Sequence, residues 1–425
     1  MTTLISDNII SSLGFTTEIN YRKVKQGISG LRFFEDYFDL PEPFMASMLD
    51  EKKVNNAFNK LQNQIQKTSN PEQETRNQKT KTRNPEQKNQ KPGTRNHKQG
   101  TLEQGTSNPT AYTFPEKAAI LSISEALKDT GINPADEKVL FILSTTKGNV
   151  ALLEPSRREA YEPERIYLWR SAELIAGYFG NTNTPVTVSN ACISGAQALI
   201  AAQRVLQSRQ YKYVIVTGVD MLSRFIISGF QSFKALSPSN CKPFDANRNG
   251  LNLGEAAATI ILTDKNETDL RPGEVILTAG AIRNDANHIS GPSRTGEGAY
   301  LALQRVCAGI DTDELAFINA HGTATPYNDE MEAIAITRAG LQHVPVNSMK
   351  GYFGHTLGCA GVLESIISTR SLKNRKILKT FGLEAQGVSY PLQLVTQTQT
   401  TTRQRCINML SGFGGCNATL LYTLI

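Results

Sequence analysis

Long apolar runs are missing from this 425-residue sequence. Stretches such as Ala256 to Leu262 stay under ten residues, far short of the roughly 20 needed to span a bilayer. The opening residues, MTTLISDN, lack the basic start and apolar run of a signal peptide. Cysteine is sparse, and the six present (Cys192, Cys241, Cys307, Cys359, Cys406, Cys416) show no paired or CxxC spacing. That leaves no disulfide frame and no zinc motif to read. The expectation is a reduced, cytoplasmic protein without membrane attachment or bound metal.

A genuine excess of charge is also lacking once its location is considered. The formal net charge is +6, but residues 60–110 alone carry ten Lys/Arg against four Asp/Glu, and the remainder holds 35 of each. The rest of the chain therefore has no basic bias that would recruit nucleic acid, and the basic segment has no interleaved aromatics. This segment repeats a short unit: TSNPEQ at 68, TRNPEQ at 82, TRNHKQ at 94 and TSNP at 106. Its only large aliphatic residues are Leu61, Ile65 and Leu102, too few to offset the entropy of ordering it. Two readings stay open: a disordered, solvated insertion, or a basic tether that attracts an acidic partner.

What is present outside that segment alternates between helix and strand signals. Residues Pro115 to Thr130 place apolar side chains at 119, 120, 123 and 126 and stop at Gly131, which predicts an amphipathic helix. Strands are predicted at Val139 to Leu143, Pro185 to Val188, Tyr213 to Thr217 and Ala257 to Leu262, with others near 274–281, 316–319 and 405–410. Such alternation over this length predicts an α/β protein with buried sheets.

Residues 187–209, TVSNACISGAQALIAAQRVLQSR, form a β-branched run, a small-residue turn and a helix beginning near Ser194. Cys192 falls at the junction, where a helix N-terminus lowers a thiol pKa. The stretch alone is equally consistent with a buried thiol packed as a small hydrophobe. The histidines tip that balance. Only five occur, and two of them, His321 in AHGTATPYNDEMEAIA and His355 in KGYFGHTLGCAGVLESI, sit in Gly-flanked loops that open helices. One thiol with two imidazoles is a constellation for acyl transfer. His97 lies in the repeat segment and His343 in a plain loop, and neither is assigned a role.

NACISG around Cys192, KPFDANRNGLNLGEAA (242–257), HGTATPYND (321–329), NSMKGYFGHTLGCAG (347–361) and SGFGGCNA (411–418) resemble, in order, the successive motifs of β-ketoacyl-[acyl-carrier-protein] synthases of the elongating Cys-His-His type. The resemblance covers the chain except about residues 57–110. It implies a thiolase fold of five layers, α-β-α-β-α, built from two similar halves: residues 1–265 with the nucleophile and the insertion at about 60–110, and residues 266–425 with both histidines. It implies decarboxylative condensation of malonyl-carrier protein with an acyl group on Cys192, in fatty-acid or specialised polyene- or polyketide-type elongation. The insertion and other departures lean toward the specialised role. His321 and His355 would hold the malonyl thioester carbonyl, with Lys350 and Glu364 in support. Thr323 and Thr325 would contact the phosphopantetheine arm. Phe413 would be a gate whose N–H joins that of Cys192 as the oxyanion hole, and Phe230 a second gate. Asp285 and His288 match a loop beside the site.

No cofactor is implied beyond the phosphopantetheine arm that carries the substrates. The implied partners are an acyl carrier protein and a second subunit, in a homodimer or in a heterodimer with another ketosynthase-like chain. The sequence departs from the family's GGTN at Gly414-Gly415-Cys416-Asn417 and from GAAG at Gly358-Cys359-Ala360-Gly361. The main alternative, a non-catalytic subunit resembling a chain-length factor, sits poorly with the retention of Cys192, His321, His355 and Lys350 together. A thiolase, or an initiating synthase with a Cys-His-Asn set, fits the HGT and KGYFGH loops less well.

Overall fold

The computed structural model describes residues 1–69, 111–158 and 160–425. Strands and helices alternate in two successive series. The first comprises β1 (Thr2–Ser11), α1 (Glu51–Ser69), α2 (Phe114–Leu127), β2 (Val139–Ser144), α3 (Leu168–Tyr178), β3 (Val186–Val188), α4 (Ser194–Gln207), β4 (Tyr213–Asp220), α5 (Arg224–Ser232) and β5 (Ala256–Asp264). The second comprises β6 (Val275–Asn284), α6 (Glu297–Val306), β7 (Leu315–Asn319), α7 (Pro326–Arg338), β8 (Pro345–Asn347), α8 (Lys350–Phe353), α9 (Ala360–Lys373), β9 (Arg405–Gly412) and β10 (Cys416–Leu424).

The strand orders are β3-β2-β4-β5-β1 and β8-β7-β9-β10-β6, so each series repeats the other's topology. In both, three parallel strands are followed by two that alternate in direction. The sheets join where β1 pairs with β6 at Thr3–Ile276 and Leu4–Val275, and a two-residue strand, Gln393–Leu394, extends the far edge to eleven strands. Helices α4 and α9 pack on each other and on both sheets, while α2 and α3 cover one outer face and α6 and α7 the other. The result is five layers, α-β-α-β-α. Strands such as β5 are covered on both faces, which is why AAATIILT reads as a continuous apolar run and not an alternation.

The crossing of α4 and α9 fixes the site. A Cβ on Gly361 would lie 2.3 Å from Ala196 N, and one on Gly195 would lie 2.8 Å from Val362 N. Only glycine permits this backbone contact, which brings the N-terminal ends of both central helices, and so Cys192 and the His355 loop, to one place.

Three sequence expectations need revision. The helix expected over Pro115–Thr130 runs from Phe114 to Leu127. Strands β8 and β10 went unread, because β10 is buried almost throughout and carries no period-two signal. The segment set apart at about 60–110 overlaps the end of α1, which continues to Ser69. Val54, Phe58 and Leu61, at helical spacing, pack that helix against Tyr112 and α2. The rest of the segment, residues 70–110 with His97, lies outside the described residues. Among the described residues, no helix is long and apolar enough to cross a membrane.

A buried polar knot anchors α2 to the body. Glu116 pairs with Arg165 and accepts from Thr113 N–H (2.8 Å), Asn149 Nδ2 (2.9 Å) and Ser171 Oγ (3.0 Å). Arg165 also donates to the Ala111 carbonyl at 3.0 Å. Removing one partner leaves a buried charge unpaired, which costs about 3–5 kcal/mol. Glu116→Ala is therefore expected to lower the urea midpoint by that amount of stability without changing the slope of the transition; a loss below about 1 kcal/mol would contradict a buried, engaged pair.

Candidate active site

The turn that carries Cys192 follows β3. Ala191 adopts left-handed backbone (φ +45°), which costs a non-glycine residue about 1–2 kcal/mol and turns the chain sharply into α4. Ser194 holds the turn: its Oγ accepts from Asn190 N–H at 2.7 Å and donates to the Ala191 carbonyl at 2.6 Å. Cys192 is left buried at the floor of a cavity of about 490 Å³. The Phe413 backbone N–H, just past β9, donates to the Cys192 sulfur. A Cβ on the neighbouring Gly412 would sit 3.1 Å from Cys192 N, so glycine keeps the space around that N–H open.

The thiol pKa expected from the helix N-terminus is reversed in sign. Burial pushes Cys192 up to about 11, against the pull of the Lys350 ammonium and the Phe413 N–H. Desolvation of a thiolate outweighs the dipole because the sulfur is enclosed by protein on all sides but the cavity.

Both histidines reach the same cavity from the second half. His321 follows β7, and its loop is pinned by Glu332 of α7, which accepts from His321 N–H and Gly322 N–H at 2.7 Å each. His355 follows α8 and is tied to the first half, since its N–H donates to the Asn252 carbonyl at 2.7 Å and its carbonyl accepts from Gly254 N–H at 3.0 Å. The ring centroids lie 4.9 Å apart at 86°.

The tautomers follow from the partners. An ammonium has no lone pair, so Lys350 Nζ, 3.4 Å from His321 Nδ1, must donate to it. Leu357 N–H likewise donates to His355 Nδ1 at 3.2 Å. In each neutral imidazole the proton therefore sits on Nε2. Burial, with Lys350 adding repulsion, holds both rings well below the usual imidazole pKa, so neither charges near neutrality. His355 Nε2 has no partner among the described residues. The site thus offers two Nε2–H donors close to a thiol.

Lys350 is fully buried behind the histidines, paired with Glu364, whose other oxygen accepts from Asn319 Nδ2 at 3.4 Å. Burial pushes the Glu364 carboxyl up, and the Lys350 charge opposes that. Thr323 and Thr325 line the cavity with their hydroxyls 2.9 Å apart. Phe230 of α5 stacks on Phe413 at 5.8 Å, and Asp285 and His288 also line the wall. Every residue given a role from the sequence thus lies in the cavity or directly behind it, while His343, given none, faces Asp313 at the surface and His97 lies outside the described residues.

Cys192, His321 and His355 place a ligand atom each within 4.8 Å of one another, a grouping that could hold a metal ion. The hydrogen bonds argue against it. Both Nδ1 atoms already accept, both Nε2 atoms carry protons, and a fixed ammonium stands 3.4 Å from one ring.

Several working residues went unread in the sequence. Asp329 accepts from Phe244 N–H (2.7 Å) and Ala324 N–H (3.1 Å), and with Glu332 it sets the His321 loop. Asp220 accepts from Gly358 N–H at 2.7 Å and fixes the turn after His355. Phe233 packs edge-on against Phe413 at 5.5 Å. Asp329 in the first turn of α7 and Glu332 one turn later could have been found from their i,i+3 spacing. Asp220 carried no such signal.

The model of the β-ketoacyl synthase N-terminal domain family matches residues 41–268, and that of the C-terminal domain family matches 275–384. The 3-oxoacyl-[acyl-carrier-protein] synthase 2 of Vibrio cholerae is 27% identical over 330 residues, 70% of this chain and 79% of its own. Among solved structures, the ketosynthase ApeO in complex with its chain length factor ApeC, from Xenorhabdus doucetiae, superposes with a TM-score of 0.76 at 23% identity, covering 100% of this chain and 98% of that one. A type II polyketide acyl-carrier protein in complex with its ketosynthase gives 0.74 at 16% identity, covering 100% and 99%. The fold is the thiolase fold of the ketosynthases.

With its pKa raised to about 11, Cys192 is expected to react with iodoacetamide at a rate rising about tenfold per pH unit across roughly pH 6–9. Peptide mass spectrometry would follow that site alone, and a plateau near neutrality would contradict the burial account.

Proposed function

The chain belongs to the β-ketoacyl synthase family, and from that premise we propose that Cys192 carries the acyl chain while His321 and His355 hold the malonyl thioester oxygen through their Nε2–H groups. The chain is a condensing enzyme, an acyltransferase that joins malonyl-carrier protein to a bound acyl group in fatty-acid or polyketide-type elongation. The observation that carries the residue roles is the fixed pair of Nε2–H tautomers beside a single thiol.

In the first half-reaction Cys192 Sγ attacks the acyl thioester. The S–C bond to the pantetheine breaks, and the thiol proton ends on the departing pantetheine sulfur. The Phe413 and Cys192 N–H groups hold the tetrahedral oxyanion, and preorganised donors of this kind lower the barrier because they need no reorientation. Malonyl thioester then enters with its arm along Thr323 and Thr325. Breaking the bond to the carboxylate releases carbon dioxide and leaves an enolate, whose oxygen lies between the two Nε2–H groups. Neutral imidazoles suit this task, since they stabilise the enolate without protonating its carbon. That carbon attacks the Cys192 thioester carbonyl, and collapse expels the Cys192 thiolate, which is reprotonated. The reading requires no metal or redox cofactor.

The substrates ride on an acyl carrier protein, as in the solved complex of a ketosynthase with its acyl-carrier protein. The assembly we favour is a homodimer, with a second ketosynthase-like subunit as the alternative, following the structure in which a ketosynthase pairs with its chain length factor. A cytoplasmic setting suits an unprotected nucleophilic thiol. The insertion and the Cys416 departure favour a specialised product over housekeeping fatty acids. A non-catalytic subunit is not favoured, because nucleophile, both imidazoles and the buried ammonium converge.

Cys192→Ala is expected to abolish elongation on carrier-protein substrates, and unchanged turnover would sink the mechanism. His321→Ala or His355→Ala is expected to slow condensation by about 10²–10³-fold while leaving thioester formation on Cys192 measurable; equal loss of both steps would point to a structural role. Decarboxylation of malonyl thioester by the Cys192→Ala protein is expected to stay flat between roughly pH 6 and 8, because both rings stay neutral there. A fall toward the acid end would show that an imidazole titrates.

A further inference from the structure

The gate turn between β9 and β10 consists of Phe413, Gly414 and Gly415, closed by the pair Gly412–Cys416. Both glycines are left-handed, with φ +82° and +73°. Backbone of this kind is pliable, so the direction of the Phe413 N–H depends on ties from outside the turn. Gly414 is held on both sides: its N–H donates to the Ile289 carbonyl at 2.7 Å, and its carbonyl accepts from Asn284 Nδ2 at 2.9 Å. Phe413 itself is held by sulfur. Cys416 Sγ lies 3.0 Å from the Phe413 carbonyl and 3.2 Å from Asn190 Oδ1.

Asn190 is a fixed point. Its side-chain nitrogen donates to Gln197 Oε1 on α4 at 2.6 Å, and its N–H donates to Ser194 Oγ at 2.7 Å. It stands two residues before Cys192. A closed circuit results, running from α4 through Asn190, the Cys416 thiol and Phe413 back to the Cys192 sulfur. The single S–H proton is shared between these two oxygens.

We propose that Cys416 is a positioning residue for the Cys192 oxyanion hole, its thiol bridging the gate turn to the nucleophile turn and so setting where the Phe413 N–H points. This rests on the reading of Cys192 as the acyl carrier. It also gives the departure from GGTN a physical content, because a thiol stands where the family pattern has a hydroxyl. A sulfhydryl is a weaker donor than a hydroxyl. The bridge is correspondingly soft, and the gate turn can swing when an acyl chain passes.

The test compares Cys416→Ser, Cys416→Val and Cys416→Ala in the full-length protein. Single-turnover formation of the Cys192 thioester from an acyl-carrier protein, steady-state kcat and KM for malonyl-carrier protein, and melting temperature are measured for each. Ser keeps a donor and is expected to stay within about twofold of the parent rate, whereas Val and Ala, which lack one, are expected to slow thioester formation about five- to tenfold. The malonyl KM and the melting temperature are expected to hold. Val matching Ser, or rates falling only in proportion to lost melting temperature, would overturn the proposal. Failure of the parent protein to form any thioester on Cys192 would instead remove the acyl-carrier reading beneath it.

Discussion

The site depends on a buried ammonium. Lys350 lies in the interior with Glu364 as its counter-ion and His321 Nδ1 as its second acceptor. A lone charge there would cost several kcal/mol, so the carboxylate is a condition for the lysine being present at all. The ammonium then has two effects at a distance. It fixes the His321 proton on Nε2, and its field disfavours a charged imidazole on either ring. The same field favours thiolate at Cys192, although burial outweighs it in the resting protein. One cation thus biases all three side chains: it keeps both imidazoles neutral and pulls against the burial that holds the Cys192 sulfur protonated.

The scaffold explains how groups so far apart in sequence meet. Each half places its chemistry at the ends of its parallel strands, and the two central helices cross where Gly195 and Gly361 allow backbone contact. The loops around the histidines are held by carboxylates that accept backbone N–H groups: Glu332 and Asp329 for His321, and Asp220 for the turn after His355. A ring nitrogen supported in this way has little freedom, which is what a preorganised donor requires. The cavity mouth is softer, with Phe230 stacked and Phe233 edge-on against Phe413 beside a turn of two left-handed glycines.

The sequence made Cys192, His321 and His355 legible because each stands in a short pattern of small and Gly residues that local physics already marks as a turn into a helix, whereas Lys350 was legible only through the resemblance to the synthase motifs. The α/β alternation was legible for the same reason, through hydrophobic runs between turn signals. Three things could not be read locally. The β10 strand is buried on both faces and has no period. The support from Asp220 spans 138 residues to Gly358 and exists only once the halves pack. The thiol pKa depended on enclosure by the whole fold, so a helix-dipole argument confined to the turn pointed in the wrong direction. The reach of α1 into the segment set apart at about 60–110 was hidden as well, because Leu61 extends the helix's apolar stripe, a contact that composition alone conceals.

The account turns on the sulfur proposed to hold the growing chain. Intact and peptide mass spectrometry of the protein, incubated with a panel of acyl-carrier proteins and no malonyl donor, would read that sulfur directly. An acyl adduct confined to the peptide containing Cys192, and discharged when malonyl-carrier protein is added, is the predicted result. An adduct on another cysteine such as Cys416 or Cys359, or an adduct on Cys192 that malonyl-carrier protein fails to discharge, would contradict it.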